Sequence, residues 1–313
     1  MPENEFSWRP RRVIVGYDRS RGADDAVALC AAVAAPDAHV ALVDVLPYPG
    51  APSETFRLLT SSEFPIPDDF FGPAIARLPG RQVEVLTYIG ASPARIFESL
   101  ATDDHFDLIV VGSPHRGTIG RILAGSVSES LLHGSPVPVL TAPHGYAASP
   151  PALATGQGTI AVGYDGGAES QAALAYAQAI ATQTGATLDV LTVQRPIDPV
   201  GGAIAYTMSL PQNVDDIQRQ ALHEVDPTVD LRRRLLNGPA AEAIADACAD
   251  GVDLLVVGSR GYGTAERVLL GSTSRALIRE ASCPVLVVPR PRAADKAGVE
   301  TATAATDAHR RAR

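Results

Sequence analysis

Aromatic side chains are scarce in this 313-residue chain: only 5% of positions, with a single Trp, and Met occurs twice. A core without large rings has to be filled by aliphatic groups, and a 46% hydrophobic content dominated by Val, Leu, Ile and Ala supplies them. Cysteine is also rare. Cys30, Cys248 and Cys283 are an odd number, sit in apolar runs and show no C-x-x-C or metal-like spacing, which argues against a disulfide framework and for buried thiols. No apolar stretch reaches the roughly 18 residues that cross a bilayer, and the opening MPENEFSWRPRR lacks the apolar core of an export signal. The expectation is a cytoplasmic protein with no membrane partner. Basic residues are in deficit, 26 against 35 acidic ones, so a net charge of −9 repels nucleic-acid phosphates and no nucleic-acid partner is expected. The histidines His39, His105, His133, His144, His223 and His309 are scattered without i, i+4 pairing, which gives no metal-ligand pattern.

What the chain does have is a repeat. VIVGYD, from Val13 to Asp18, is answered by AVGYD from Ala161 to Asp165, and Val45 by Val193. DLIVVGS from Asp107 is answered by DLLVVGS from Asp253, and Pro138-Val139-Leu140 by Pro284-Val285-Leu286. Two units of ordinary domain size account for the length, at residues 9–145 and 158–292. Between them, 146–157 reads as a small-residue linker, and 293–313 lacks apolar spacing and is expected to be disordered.

Short β-branched runs alternate with Ala-rich helical ones. The first half has strand-like runs at 13–17, 40–45, 82–88, 108–111 and 137–141, and the second at 159–164, 187–193, 229–236, 254–257 and 284–288. Alternation of this kind requires parallel crossovers with helices on both faces of a sheet. The fold class is therefore α/β: two repeated doubly wound, Rossmann-like domains, each a five-stranded parallel sheet. The segment from Pro47 to Pro79, with seven prolines, has no clean periodicity and reads as a lid or a short helix with loops.

In such a sheet, ligands bind beyond the carboxyl ends of the strands where the strand order reverses. Asp165, Val193 and Gly258 all sit at predicted strand ends. Gly258, Gly261 and Gly271 space a loop between a strand-like and a helix-like run, and Ser272 opens the helix. Glycines let backbone approach an anion closely, and a helix N-terminus offers unpaired amides and partial positive charge. Each contact with the helix dipole contributes only about 0.3–1 kcal/mol, so several donors have to converge on one phosphate chain.

These residues resemble a universal stress protein domain, whose mark is G-x2-G-x9-G-[S/T]; Gly258, Gly261, Gly271 and Ser272 match it in full. The resemblance covers both halves and implies a tandem protein of the ATP-binding type, adenine-nucleotide α-hydrolase-like in fold. It implies that Asp165 and Val193 flank adenine, and that Val257, Gly258, Gly261, Gly271, Ser272 and Thr273 hold ribose and phosphates. ATP is the expected ligand, with ADP or AMP as alternatives and Mg²⁺ in attendance. The resemblance further implies that the halves pair through their last strands, 137–141 and 285–288, with a homodimer of chains as an optional further level.

The first half departs from the mark. Asp18, Val45, Gly112, Gly125, Ser126 and Val127 stand at matching places, but His115 replaces the second glycine and Pro114 removes an amide donor. Two readings stay open: a weakened or empty site, or one in which the side chain of His115 or Arg116 contacts phosphate. Ser126 and Glu129 also fit a capping box that owes nothing to ligand.

Three functions compete. The first is a nucleotide-binding regulatory protein of the stress response, not an enzyme beyond slow ATP hydrolysis or self-phosphorylation. The second is an adenylating or ATP-hydrolysing enzyme of the related α-hydrolase-like group, for which Asp165-Gly-Gly-Ala-Glu-Ser170 is an approximate loop. The third is a nucleotide-free interaction scaffold whose regulatory protein partner the residues do not name.

Overall fold

The computed structural model describes residues 9–48, 50, 52, 55–59, 70–113, 126–148, 158–194, 214–259 and 272–289. The expected tail, most of the expected linker, and Gly261, Gly271, His115 and Gly125 lie outside the described residues.

The first half contains β1 (Arg12–Gly16), α1 (Arg21–Val33), β2 (His39–Pro47), β3 (Phe56–Leu58), α2 (Gly72–Ile75), β4 (Gln82–Gly90), α3 (Pro93–Asp103), β5 (Leu108–Gly112), α4 (Ser126–Gly134) and β6 (Val139–Ala142). The second contains β7 (Thr159–Gly163), α5 (Ala168–Thr184), β8 (Thr187–Gln194), α6 (Val214–Glu224), β9 (Leu231–Asn237), α7 (Ala240–Ala249), β10 (Leu254–Gly258), α8 (Ser272–Glu280) and β11 (Val285–Val288).

The strands lie in the order β3-β4-β2-β1-β5-β6-β11-β10-β7-β8-β9. Within each half the five parallel strands follow one plan, β4-β2-β1-β5-β6 and β9-β8-β7-β10-β11, and the order reverses between β1 and β5 and between β7 and β10. Those two reversals are the doubly wound switch points. The two sheets merge because β6 and β11 pair antiparallel, Val139 with Val287, Leu140 with Leu286 and Thr141 with Val285. Two strand edges that would otherwise be exposed satisfy each other. The irregular Pro47–Pro79 segment contributes something the sequence did not signal: β3, three residues long, adds antiparallel to β4 and covers the sheet edge.

The aliphatic runs are buried on both faces. Val13 and Val15 point into one core layer with α1, α2, α5 and α6, while Ile14 points into the other with α3, α4, α7 and α8. Leu254 and Val256 alternate with Leu255 and Val257 in the same way. Both layers run across the junction between the halves. Among the described residues no helix is long and apolar enough to cross a membrane.

Two aspartates fix the frame away from the crevice. Asp107 accepts hydrogen bonds from the backbone N–H groups of Arg11 (2.9 Å) and Arg12, and Asp253 accepts from that of Thr159 at 2.8 Å. The leading Asp of each repeated D-L-[IL]-V-V-G-S run therefore ties the start of one strand to its neighbour, at the amino end of the sheet. Asp25 in α1, itself buried, accepts from the amides of Gly145 (2.8 Å) and Ala147 (2.7 Å). The start of the expected linker is thus a 3-10 turn, Tyr146–Ala148, held against the first half rather than a free tether.

Candidate functional site: the crevice at the strand ends

In the second half the turn after β7 is built by Asp165. Its Oδ1 accepts from the Gly167 N–H at 3.0 Å and lies 2.8 Å from the Ser170 hydroxyl, which also lies 2.9 Å from the Gly167 carbonyl and accepts from the Asp165 N–H at 3.3 Å. Gly166 takes the left-handed backbone (φ 79°) that the turn requires. Asp165 itself is exposed at the mouth of the crevice, whereas Ser170 is buried in the turn it caps.

Val193 is the penultimate residue of β8, beside Thr192, which is buried and whose hydroxyl has no hydrogen-bond partner among the described residues. A buried hydroxyl without a partner carries the desolvation cost of its lost water. Val257 and Gly258 end β10, and α8 begins at Ser272. The two are tied together by Ser274, whose hydroxyl donates to the Gly258 carbonyl at 2.9 Å. That bond brings the first turn of α8, whose amides have no partner within the helix, to the carboxyl end of β10 at the switch point. Ser274 was not among the residues the sequence singled out, because a serine two positions into a helix carries no motif of its own.

The strand-end glycines have a packing reason besides any ligand. A Cβ on Gly258 would lie 2.5 Å from the backbone oxygen of Glu169, and one on Gly112 would lie 1.8 Å from that of Gly22. Glu169 and Gly22 occupy the same place in the two halves, near the starts of α5 and α1. Helix and strand approach so closely there that only glycine fits.

The first-half crevice holds different side chains. Asp18 is exposed and accepts from the Ser20 N–H at 3.0 Å, and the Ser20 hydroxyl caps α1 by accepting from the Ala23 N–H at 3.2 Å. Between them Arg19 stands where the second half has Gly166, in the same left-handed conformation (φ 65°). That conformation costs a non-glycine residue about 1–2 kcal/mol. Its guanidinium is 3.1 Å from Oδ2 of Asp44 and lies over the Phe70 ring, 4.6 Å from the centroid. Asp44 is the neighbour of Val45 on β2, at the place of Thr192. Burial holds its carboxyl above the ordinary range, and the Arg19 charge works in the opposite direction. Val45 is half-buried at the strand end, and Val127, in the first turn of α4, packs against the core layer below. Gly112 ends β5, and α4 starts at Ser126. Thr273, in the first turn of α8, is half-buried.

Asp165, Val193, Val257, Gly258, Ser272 and Thr273 in the second half, and Asp18, Val45, Gly112, Ser126 and Val127 in the first, all lie toward the carboxyl ends of strands or in the turns and helix starts of the same end of the sheet. Among the described residues no group of three or more His, Cys, Asp or Glu is placed to hold a metal ion.

Comparison with known proteins agrees with this architecture. The sequence profile of the Universal stress protein family matches residues 10–143 and again 158–289. A universal stress protein of Mycolicibacterium smegmatis is 32% identical over 188 residues, covering 59% of this chain and 62% of its own length; the chain thus spans a little under two thirds of that relative. A universal stress protein of Thermus aquaticus, described as lying in the QAH/OAS sulfhydrylase 3′ region, is 34% identical over 133 residues, 42% of this chain and 97% of its own length. The crystal structure of a universal stress protein from Archaeoglobus fulgidus superposes with a TM-score of 0.63 at 19% identity, covering 91% of this chain and 100% of that one. That last likeness is one of fold, and it extends over both halves.

Proposed function

Because this chain belongs to the universal stress protein family in both halves, we propose that it is a regulatory protein that binds an adenine nucleotide, ATP ahead of ADP or AMP, in its second-half crevice. The observation that carries this reading is the helix α8, anchored by Ser274 to Gly258 with its first-turn amides at the switch point. In this reading Asp165 and Val193 flank the base. Val257, Gly258, Gly261, Gly271, Ser272 and Thr273 supply the ribose and phosphate contacts, chiefly from backbone, and the unpartnered Thr192 hydroxyl adds a buried polar group near the base end.

Backbone N–H groups bind phosphate oxygens and ligate no cation, so Mg²⁺ would enter with the nucleotide, in its usual role, rather than on a cage of protein ligands. That ion keeps several waters and is held largely through substrate phosphates, whose charge it neutralises.

Ser170 weighs against the adenylating reading: buried and engaged in the turn, it is not presented to a substrate. The protein acts in the cytoplasm in this account, and its output is a change of surface read by a partner. A homodimer of chains has to use a surface other than the last strands, which already pair within one chain.

Thermal melting with Mg-ATP tests the proposal. Ligand at about a hundred times its Kd should stabilise the folded chain by about 2.7 kcal/mol, and Gly261→Glu should abolish the shift. Equal melting with and without ATP, ADP and AMP would leave the scaffold function standing instead. Pyrophosphate release that depends on an added acceptor would establish the enzyme.

A further inference from the structure

The two crevices share a backbone plan and differ in what fills their base ends. Counterpart for counterpart, the second half has Gly166 and Thr192 where the first has Arg19 and Asp44. In the second half the first of these has no side chain and the second is a small hydroxyl with no hydrogen-bond partner among the described residues. In the first half the same two places are joined by a 3.1 Å ion pair between a partly covered guanidinium and an almost wholly buried carboxylate. Phe70, just ahead of α2, lies over the guanidinium at 4.6 Å, and the ring of Phe71 meets that of Tyr17 at 5.5 Å, tilted by 44°. Tyr17 and Asp18 precede Arg19 directly, and Val45 follows Asp44 directly, so this cluster occupies the end of the crevice that the nucleotide reading assigns to the base.

A guanidinium is planar, cationic and well suited to lie against an aromatic face while forking to a carboxylate. Here both of its partners come from the chain itself, which leaves a planar group already seated where a planar base would go. We infer that Arg19, closed onto Asp44 and Phe70, fills the base end of the first-half crevice, so that each chain takes one adenine nucleotide and the first half is a self-occupied copy of the site.

The inference rests on the proposed nucleotide site of the second half and adds its stoichiometry and the residue that sets it. It also separates two causes in the first half. His115 in place of a glycine alters the phosphate loop, whereas Arg19 alters the base end, and each predicts a different rescue.

Titration calorimetry with Mg-ATP distinguishes them. The wild-type chain should bind one nucleotide. His115→Gly alone should still bind one. Arg19→Gly with Asp44→Thr in the His115→Gly background, which gives the first half the second half's residues at all three places, should bind two. The paired change avoids leaving Asp44 buried without its cation, and circular dichroism confirms that the variant is folded. As a second route, adding Phe70→Ala to that triple variant, which removes the ring over the guanidinium's place as well, should also bind two. One nucleotide in both of these folded variants, or two in the His115→Gly variant, overturns the inference while leaving the second-half site intact. Two in the wild-type chain does the same. None in the wild-type chain overturns both the inference and the function it rests on.

Discussion

Among the described glycines, Gly112 leaves the least room for a Cβ, which makes a quantitative prediction about alanine there. A Cβ there would lie 1.8 Å from the Gly22 backbone oxygen and 2.3 Å from its carbonyl carbon, so the clash is with backbone and no side chain can swing away. The β5 end and the start of α1 must separate. Overpacking costs about 1–3 kcal/mol, and a backbone-on-backbone contact belongs at the upper end. At about 2–4 °C per kcal/mol for a unit of this size, about 3 kcal/mol lowers Tm by about 6–12 °C. Gly163→Ala is the internal control: its Cβ would meet only Ile244 and Val257 side chains at 3.6 Å, an ordinary contact. That substitution should fall within about 0.5 kcal/mol of wild type. Scanning calorimetry without nucleotide is the assay, because it reads packing apart from ligand. If Gly112→Ala and Gly163→Ala melt alike, helix-strand packing is not why glycine stands at the strand end. By the same logic Gly258→Ala is a poor probe of nucleotide binding, and Gly261→Glu a better one.

Other consequences are equally direct. Asp25→Asn exchanges a carboxylate that accepts two amides for a group that can accept only one cleanly; it should cost about 1.5–3 kcal/mol in urea unfolding, and a change below about 0.5 would remove its assigned role. Burial holds the carboxyls of Asp44, Glu98 and Asp107 above their ordinary values of 3.8, 4.5 and 3.8. A group raised on folding contributes stability that is fully present below its ordinary value and lost as pH rises through the raised one. The stability of wild type relative to Asp44→Asn should therefore decrease as pH rises from about 4, and a difference that grew with pH would contradict this. Residues 158–292 expressed alone expose the β11 edge that β6 covers in the whole chain, and should self-associate in light scattering; a strictly monomeric fragment would show that the edge needs no partner.

Much of this was legible beforehand, for physical reasons. Runs such as Leu108–Val111 and Leu254–Val257 are aliphatic at every position because both faces of a parallel strand are buried, and the alternation with helical runs then fixes the layered fold. The expected site frame came from the strand-end Asp, Val and Gly, which recur in two copies. What escaped notice depends on contacts distant in sequence. The capture of Gly145 and Ala147 by Asp25 spans more than a hundred residues, and β3 is three residues in a proline-rich stretch with no periodicity of its own. Arg19 carries no motif; its contacts with Asp44 and Phe70 join segments far apart in sequence. The leading Asp of D-L-[IL]-V-V-G-S recurs as faithfully as any site residue, yet Asp107 and Asp253 serve the far end of the sheet.

The central claim is that the second-half crevice holds an adenine nucleotide. A crystal structure of the chain grown with millimolar Mg-ATP tests it most directly. The account predicts a polyphosphate against the first-turn amides of α8, with the base between Asp165 and Val193 and the first half occupied by Arg19. A second-half crevice filled by side chains or water alone under those conditions would contradict it.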